Sequence, residues 1–473
     1  MTEATIIQCP QVWQFQTKYF VLFFGLFFFS CSDLGKEKAD IQSRPYQTEF
    51  KVEDFSSAED CKSCHPTHFA EWASSMHAYS AKDPVWLKLQ QHEQAVHVEK
   101  GIELGDFCVQ CHSPVAALTD AITNHESFSL SDLEALPLQI QEGVTCDICH
   151  MATHIPEPTN VITEEQSFET TDFKLFTDGT RYSILNDPIE NEYHASEYHS
   201  GYDKSEFCQN CHNLSVNGVD AEVTQFEWEG TAFQAMGNEC QTCHMQTYEG
   251  RAATDGPLRS DLHRHFFPGV DVQLNTANPD PEHYSAVEAL LLEAAEVYIN
   301  DIYHDSLINT LNLSLIISNN VGHKFPTGTT FARQLWIELS CKVNENIIFS
   351  SGFLNENGDV SDFYVDPDRE IDPQLQMFNT VLYNAEGDSG LLNVGVSDMV
   401  KLSDYTLPVS GSKSVHYTVP LPDNFEGNTT TSVRLLFRSF PPFYLRFLGL
   451  NTEAERIPIF EIDQKTAQFV ISQ

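Results

Sequence analysis

Five copies of Cys-x-x-Cys-His crowd the first half of this chain: Cys61/Cys64/His65, Cys108/Cys111/His112, Cys146/Cys149/His150, Cys208/Cys211/His212 and Cys240/Cys243/His244. Two thiols about one helical turn apart can add to the two vinyl groups on one haem edge, and the next side chain then points at the iron as its proximal imidazole. The pentapeptide is the attachment signature of haem c. Zinc would draw four ligands from paired motifs and gives no reason for a His after every second Cys. About 240 residues cannot enclose five porphyrins and also build a large side-chain core, so the cofactors themselves must supply much of the buried apolar area. The expected architecture is short helices and loops wrapped around stacked haems. Gaps of 47, 38, 62 and 32 residues between successive first cysteines are too irregular for a repeat array.

Ten of the 13 cysteines belong to these motifs, leaving Cys9, Cys31 and Cys341. The apolar run Tyr19 to Phe29 is too short to span a bilayer and has the length of a signal-peptide core. With Cys31 two residues beyond it, the segment resembles a bacterial lipoprotein signal, which makes Cys31 the expected lipidation site and a lipid anchor the expected membrane contact. Export fits, because bacterial haem attachment takes place outside the cytoplasm. The expected location is the periplasm or cell surface, tethered to the outer membrane. Cys341 alternates with Leu339 and Val343 in a strand-like stretch, as an inert buried thiol would.

The formal charge is −42, from 68 acidic and 26 basic residues. Such a surface repels nucleic acid and would steer a redox protein with a basic docking surface, through an attraction that weakens with salt.

The composition changes near residue 300. Haem motifs stop, and period-two segments follow at Leu311 to Ser318, Arg333 to Val343, Val415 to Leu421 and Ser432 to Phe440. Ala286, Leu290, Ala294 and Val297 recur at helical spacing and predict a joining helix from about Pro281 to Asn300. The expected fold is multidomain α+β: a signal peptide over 1–30, a linker over 31–55, a pentahaem domain over 56–280, a connecting helix within 281–305, and an all-β antiparallel sandwich over 306–473. The acidic stretch Asp359 to Asp372 lacks calcium-loop spacing and reads as solvated. Phe440, Phe443, Tyr444 and Phe447 read as core or sandwich edge.

The sixth coordination site of each iron decides function. Fourteen His lie outside the motifs, enough to give every haem a second imidazole. Met76 and Met236 are weaker candidates. Trp72-Ala-Ser-Ser-Met-His77, Glu142-Gly-Val-Thr-Cys146, His265-Phe-Phe-Pro-Gly269 and Asn320-Val-Gly-His323-Lys-Phe-Pro-Thr-Gly328 resemble the multihaem cytochromes c of the cytochrome c-552/4 type. That group is related to haem proteins of ammonia oxidation and to several multihaem reductases. The resemblance spans nearly the whole mature chain and includes a β-domain after the Gly-His-x-Phe-Pro-Thr-Gly loop. It implies five covalently bound haem c groups and distal ligation by His77, His194, His265 and His323. His323 is favoured independently, because a loop with Gly and Pro at fixed places between two strands more often serves function than connection alone. The fifth distal position is open between His199, His154, His125 and a vacant site. Two functions follow: an electron carrier with mostly bis-His low-spin haems, or an oxidoreductase with one open haem acting on a small nitrogen or sulfur compound. No Cys-x-x-Cys-Lys variant marks a special catalytic haem.

Overall fold

Around the motifs the backbone is cut into short pieces, and the sequence shows why. Ser57 caps the helix Ala58–Cys61, which carries the first thiol. Pro66 then opens the helix Pro66–Ser74 directly after His65, as Pro114 opens Pro114–Leu118 two residues after His112. Proline is tolerated in a first helical turn but cannot continue a helix, so these two motifs each stay a single turn followed by a change of direction. The computed structural model describes residues 49–472 apart from 101–107, 123–128, 154–160, 163–174, 217 and 362–370. The expected leader with Cys9 and Cys31, and the candidates His125 and His154, lie outside the described residues.

Small sheets among the motifs place individual residues. Thr180–Ser183 pairs with Ala195–Tyr198, directly after His194. Thr247–Arg251 pairs with Leu258–His263, which leads into His265, and Val219–Glu222 pairs with Leu214–Val216. The side-chain core here is modest, gathering Phe55, Trp86, Leu87, Leu133, Ile140, Ile148 and Met151.

Beyond residue 280 the chain builds a two-sheet sandwich. One sheet runs in the order Asn346–Ser351, Gln334–Val343, Gly427–Arg438, Phe460–Ile471, and the other Ser412–Pro420, Thr310–Asn319, Ala295–Asp305. These neighbours are antiparallel. Their facing side chains, among them Leu313, Leu315, Ile317, Leu335, Ile337, Leu339, Tyr417, Leu435 and Phe437, form one core. Cys341 is fully buried within it.

Three expectations change. The joining helix is Pro281–Ala294, capped by Asp280, and it buries His283, Val287, Leu291 and Ala294. It stops before Asn300 because Ala295, Val297 and Ile299 alternate inward along a strand that pairs with Thr310–Asn319. The acidic stretch is not simply solvated: Asp359 is buried against Arg446, and Asp372 accepts from Ser351 Oγ and Gly352 N, both at 2.8 Å. Pro45–Gln473 forms one compact unit rather than separate haem and β bodies. The aromatic run at 440–447 divides, with Tyr444 buried and Phe447 about half exposed.

Candidate functional site

Each motif makes one helical turn, with the His amide bonded back to the first Cys carbonyl at 2.9 Å in the first motif, 3.2 Å in the second and 3.1 Å in the fourth. The third and fifth motifs form the helices Cys146–His150 and Cys240–His244. The turn brings both thiols to one side and sends the imidazole onward. All ten expected attachment cysteines, Cys61, Cys64, Cys108, Cys111, Cys146, Cys149, Cys208, Cys211, Cys240 and Cys243, are half-buried, whereas Cys341 is buried.

The ring nitrogens follow a common rule. His65 Nδ1 faces Ala252 O at 2.6 Å, His112 Nδ1 Ser80 O at 3.3 Å, His150 Nδ1 Tyr182 O at 2.8 Å and His244 Nδ1 Pro268 O at 2.6 Å. His212 Nδ1 faces Glu222 Oε1 at 3.4 Å. A carbonyl or carboxylate oxygen only accepts, so Nδ1 carries the proton and Nε2 keeps its lone pair for a metal. His194, His265 and His323 follow the same rule through Ala195 O, His263 O and Lys324 O at 3.0, 2.9 and 2.8 Å.

These rings stand at a common spacing, which His65 shows to two neighbours, His194 and, at 6.4 Å, His68. Ring centres are 6.3 Å apart for His65 and His194, 6.5 Å for His212 and His77, 6.3 Å for His150 and His265, and 6.4 Å for His244 and His323. An iron holding two imidazoles, with nitrogen–metal bonds of about 2 Å and roughly 1.1 Å more to each ring centre, needs centres about 6.3 Å apart. Direct ring stacking would be closer, as it is for Trp86 on His112 at 4.7 Å and 4°. The donor set therefore fits haem iron at four motifs. At the fifth, the aromatic ring against His112 among the described residues is the Trp86 indole. Burial holds His77 near a pKa of about 3 and His112 and His323 near about 4, and it pushes His265 well below its usual range. All four are then neutral at pH 7, the form that binds metal. His212 differs: burial pulls it down, but the Glu222 hydrogen bond and charge outweigh that and raise it.

Among the other candidates, His199 uses both nitrogens, with Nε2 3.1 Å from Thr153 O and Nδ1 accepting from Gly201 N at 3.0 Å. It has no lone pair left for iron. Met236 is exposed.

Thiols of different motifs lie close enough to shift one another's ionisation: Cys61 with Cys146, Cys111 with Cys211, and Cys208 with Cys240. The first motif thus lies beside the third, and the fourth beside both the second and the fifth.

Neighbouring segments lock the backbone at His77 and His323. Val144 N donates to His77 O at 3.0 Å, Trp72 Nε1 donates to Val144 O at 2.8 Å, and Gly143 (φ +69°) lies so close to His77 that an added Cβ would sit 2.4 Å from its carbonyl oxygen. Around His323, Glu227 accepts from Lys324 N at 3.1 Å and Thr327 Oγ1 at 2.7 Å, and Asn319 Nδ2 donates to His323 O at 2.8 Å. Gly322 lets that loop lie against Phe233 and Trp228, where a Cβ would approach to 3.1 Å.

Residues 60–151 match the family described as cytochrome c554 and c-prime. The fold is similar to that of a penta-heme cytochrome c552 from Thermochromatium tepidum, with a TM-score of 0.59 and 18% identity, covering 89% of this chain and 100% of that one. Over residues 60–151 the chain thus carries the sequence pattern of a c-type cytochrome family, and over 89% of its length it shares the fold of a penta-heme cytochrome. No curated protein matches it. The matched family is one of c-type cytochromes, whose covalently bound haem c serves electron transfer. Sequence reasoning about this cytochrome missed Glu222 and the carbonyls behind the motif histidines. It also missed His68, which lies 4.6 Å from the His265 ring and whose Nε2 is 3.1 Å from Tyr248 Oη. No local pattern marks a residue whose partner is supplied by a distant backbone.

Proposed function

We propose that this cytochrome is an exported pentahaem electron carrier, with haem c on each of the five motifs and four irons held between His65 and His194, His212 and His77, His150 and His265, and His244 and His323. The observation that carries this reading is the set of four imidazole pairs 6.3–6.5 Å apart with their Nδ1 atoms otherwise engaged or buried. Haem c supplies a one-electron iron couple, and two strong-field imidazoles keep the iron geometry similar in both oxidation states. The protein's part is rigidity. Hydrogen bonds at Nδ1 fix ring orientation and tautomer, and the shared thiol contacts draw the first attachment site to the third and the fourth to the second and fifth. Electrons would follow those contacts.

The leader and Cys31 support lipid anchoring at the outer membrane, facing the periplasm or the cell exterior. The −42 charge supports a redox partner with a basic docking surface. The second reading, an oxidoreductase with one open haem acting on a small nitrogen or sulfur compound, attaches to His112, whose ring neighbour among the described residues is Trp86. Electron paramagnetic resonance of the oxidised protein, counted against haem content by mass, tests both. Five haems with every iron low-spin support the carrier. One high-spin iron in five moves the His112 haem to the second reading, and fewer than five haems overturn the pentahaem assignment.

A further inference from the structure

Four motif histidines donate Nδ1–H to main-chain carbonyls, and His212 alone donates to a carboxylate, Glu222 Oε1, at 3.4 Å. Glu222 ends the strand Val219–Glu222, and its side chain is 13% exposed. Thr224 Oγ1 donates to Oε1 at 2.7 Å and to Oε2 at 3.3 Å, which fixes the carboxylate. Thr224 Oγ1 in turn lies 2.9 Å from Thr327 Oγ1 on the His323 loop, so the arrangement is built into the packing of two segments.

A carboxylate behind an axial imidazole makes Nε2 a stronger donor than a carbonyl does, because negative charge favours proton displacement toward the acceptor. Stronger donation, and a buried negative charge nearby, both favour ferric over ferrous iron. We propose that Glu222 sets the haem held by His212 and His77 as the lowest-potential of the four bis-His haems. This rests on the pentahaem reading above. The fourth motif is also the one whose thiols lie beside those of two others, at Cys111 and Cys240. Electrons in a partly reduced protein then reside on the flanking haems, and the junction fills last.

The test is a potentiometric titration of the haem-loaded full chain, following each low-spin signal by electron paramagnetic resonance. In Glu222→Gln the lowest component should become easier to reduce, with its ferrous-to-ferric ratio at fixed poise rising about tenfold, or about 59 mV for a one-electron couple. Its low-field g-value should move while the other components stay in place. Thr224→Val keeps the carboxylate but removes its hydroxyl donor, so the same component should move the opposite way. If Glu222→Gln loses haem, Thr224→Val alone decides. The inference is overturned if neither variant moves a component, if all move together, or if the component that moves is not the lowest. Haem content by mass separates these outcomes from failure of the pentahaem reading, which would show as fewer than five haems in the unaltered protein.

Discussion

His323→Ala isolates one axial position without dismantling the loop that carries it. The loop is held by contacts that do not use the imidazole: Phe325 N to Leu407 O at 3.1 Å, Leu407 N to Phe325 O at 2.8 Å, the two Glu227 bonds, Asn319 to His323 O, and the Lys324–Asp404 ion pair at 2.9 Å. At about 1 kcal/mol for each internal hydrogen bond, the five leave roughly 5 kcal/mol of local anchoring, more than the loss of one ring from the loop costs. His244 keeps its own orientation through Pro268 O. The expected outcome is one haem in five converted from low-spin to high-spin, with haem content and circular dichroism unchanged. Added imidazole should enter the space left by the ring and restore the low-spin spectrum, because the deleted group and the added ligand have the same chemistry. An unchanged spin state would refute the pairing of His244 with His323. A high-spin conversion that imidazole cannot reverse would mean that the loop had collapsed and that the anchoring argument was wrong.

Cys64→Ser or His65→Ala is expected to cost one haem, read by mass, together with order around the first motif, because the porphyrin there is part of the local core; full haem content in a folded variant would refute the assignment. Gly143→Ala is expected to destabilise by about 3 kcal/mol or more, since φ is +69° and the new Cβ would sit 2.4 Å from His77 O. It should also turn the His212 haem partly high-spin by displacing His77. Asp83 supplies a pH prediction. Burial pushes its carboxyl from 3.8 up to about 7, so its proton is held more tightly in the folded state, and stability present below about pH 4 is lost as pH rises through about 7. At about 1.4 kcal/mol per unit the loss is at most about 4 kcal/mol. Asp83→Asn should keep the bond to Val85 N, now 2.9 Å, and remove the loss, so that its melting temperature gains on the wild type between pH 5 and 8; a gap independent of pH would refute the assignment.

The five motifs were legible because covalent attachment would dictate the spacing of two thiols and an imidazole whatever the tertiary context. The sandwich strands were legible because one buried face imposes a period of two, and Leu311 to Ser318 falls within the strand Thr310–Asn319. The helix end was not legible, because Ala294 and Val297 satisfy a helical period as well as they satisfy a strand beginning at Ala295, and only pairing with Thr310–Asn319 decides between them. His194 and His199 look alike in sequence. The structure separates them by what else each ring binds: His194 has one nitrogen engaged by the backbone and faces His65, whereas both nitrogens of His199 are engaged. The carbonyl behind His65 comes from Ala252, 187 residues away, and since any residue supplies a carbonyl no side-chain pattern could have marked it.

The same distances explain why the sandwich is not a detachable module. Its Gly-His-Lys-Phe-Pro-Thr-Gly loop delivers the imidazole that faces His244. Glu93, on the helix Pro84–Lys100, reaches into the sandwich side to accept from Val396 N at 3.0 Å and Ser397 N at 3.3 Å. Arg333 meets Asp271 through two bonds of 3.0 and 2.9 Å and also holds Ser439 O. These buried or half-buried polar bonds cross between the two sequence halves, and leaving such groups unpaired costs more than the bonds themselves gain. A fragment ending at residue 280 would therefore lose the imidazole that faces His244 and expose Glu93 and Asp271 without partners. The β-structure packs as a wall against the motif-bearing half, which accounts for one compact unit where composition alone suggested two bodies.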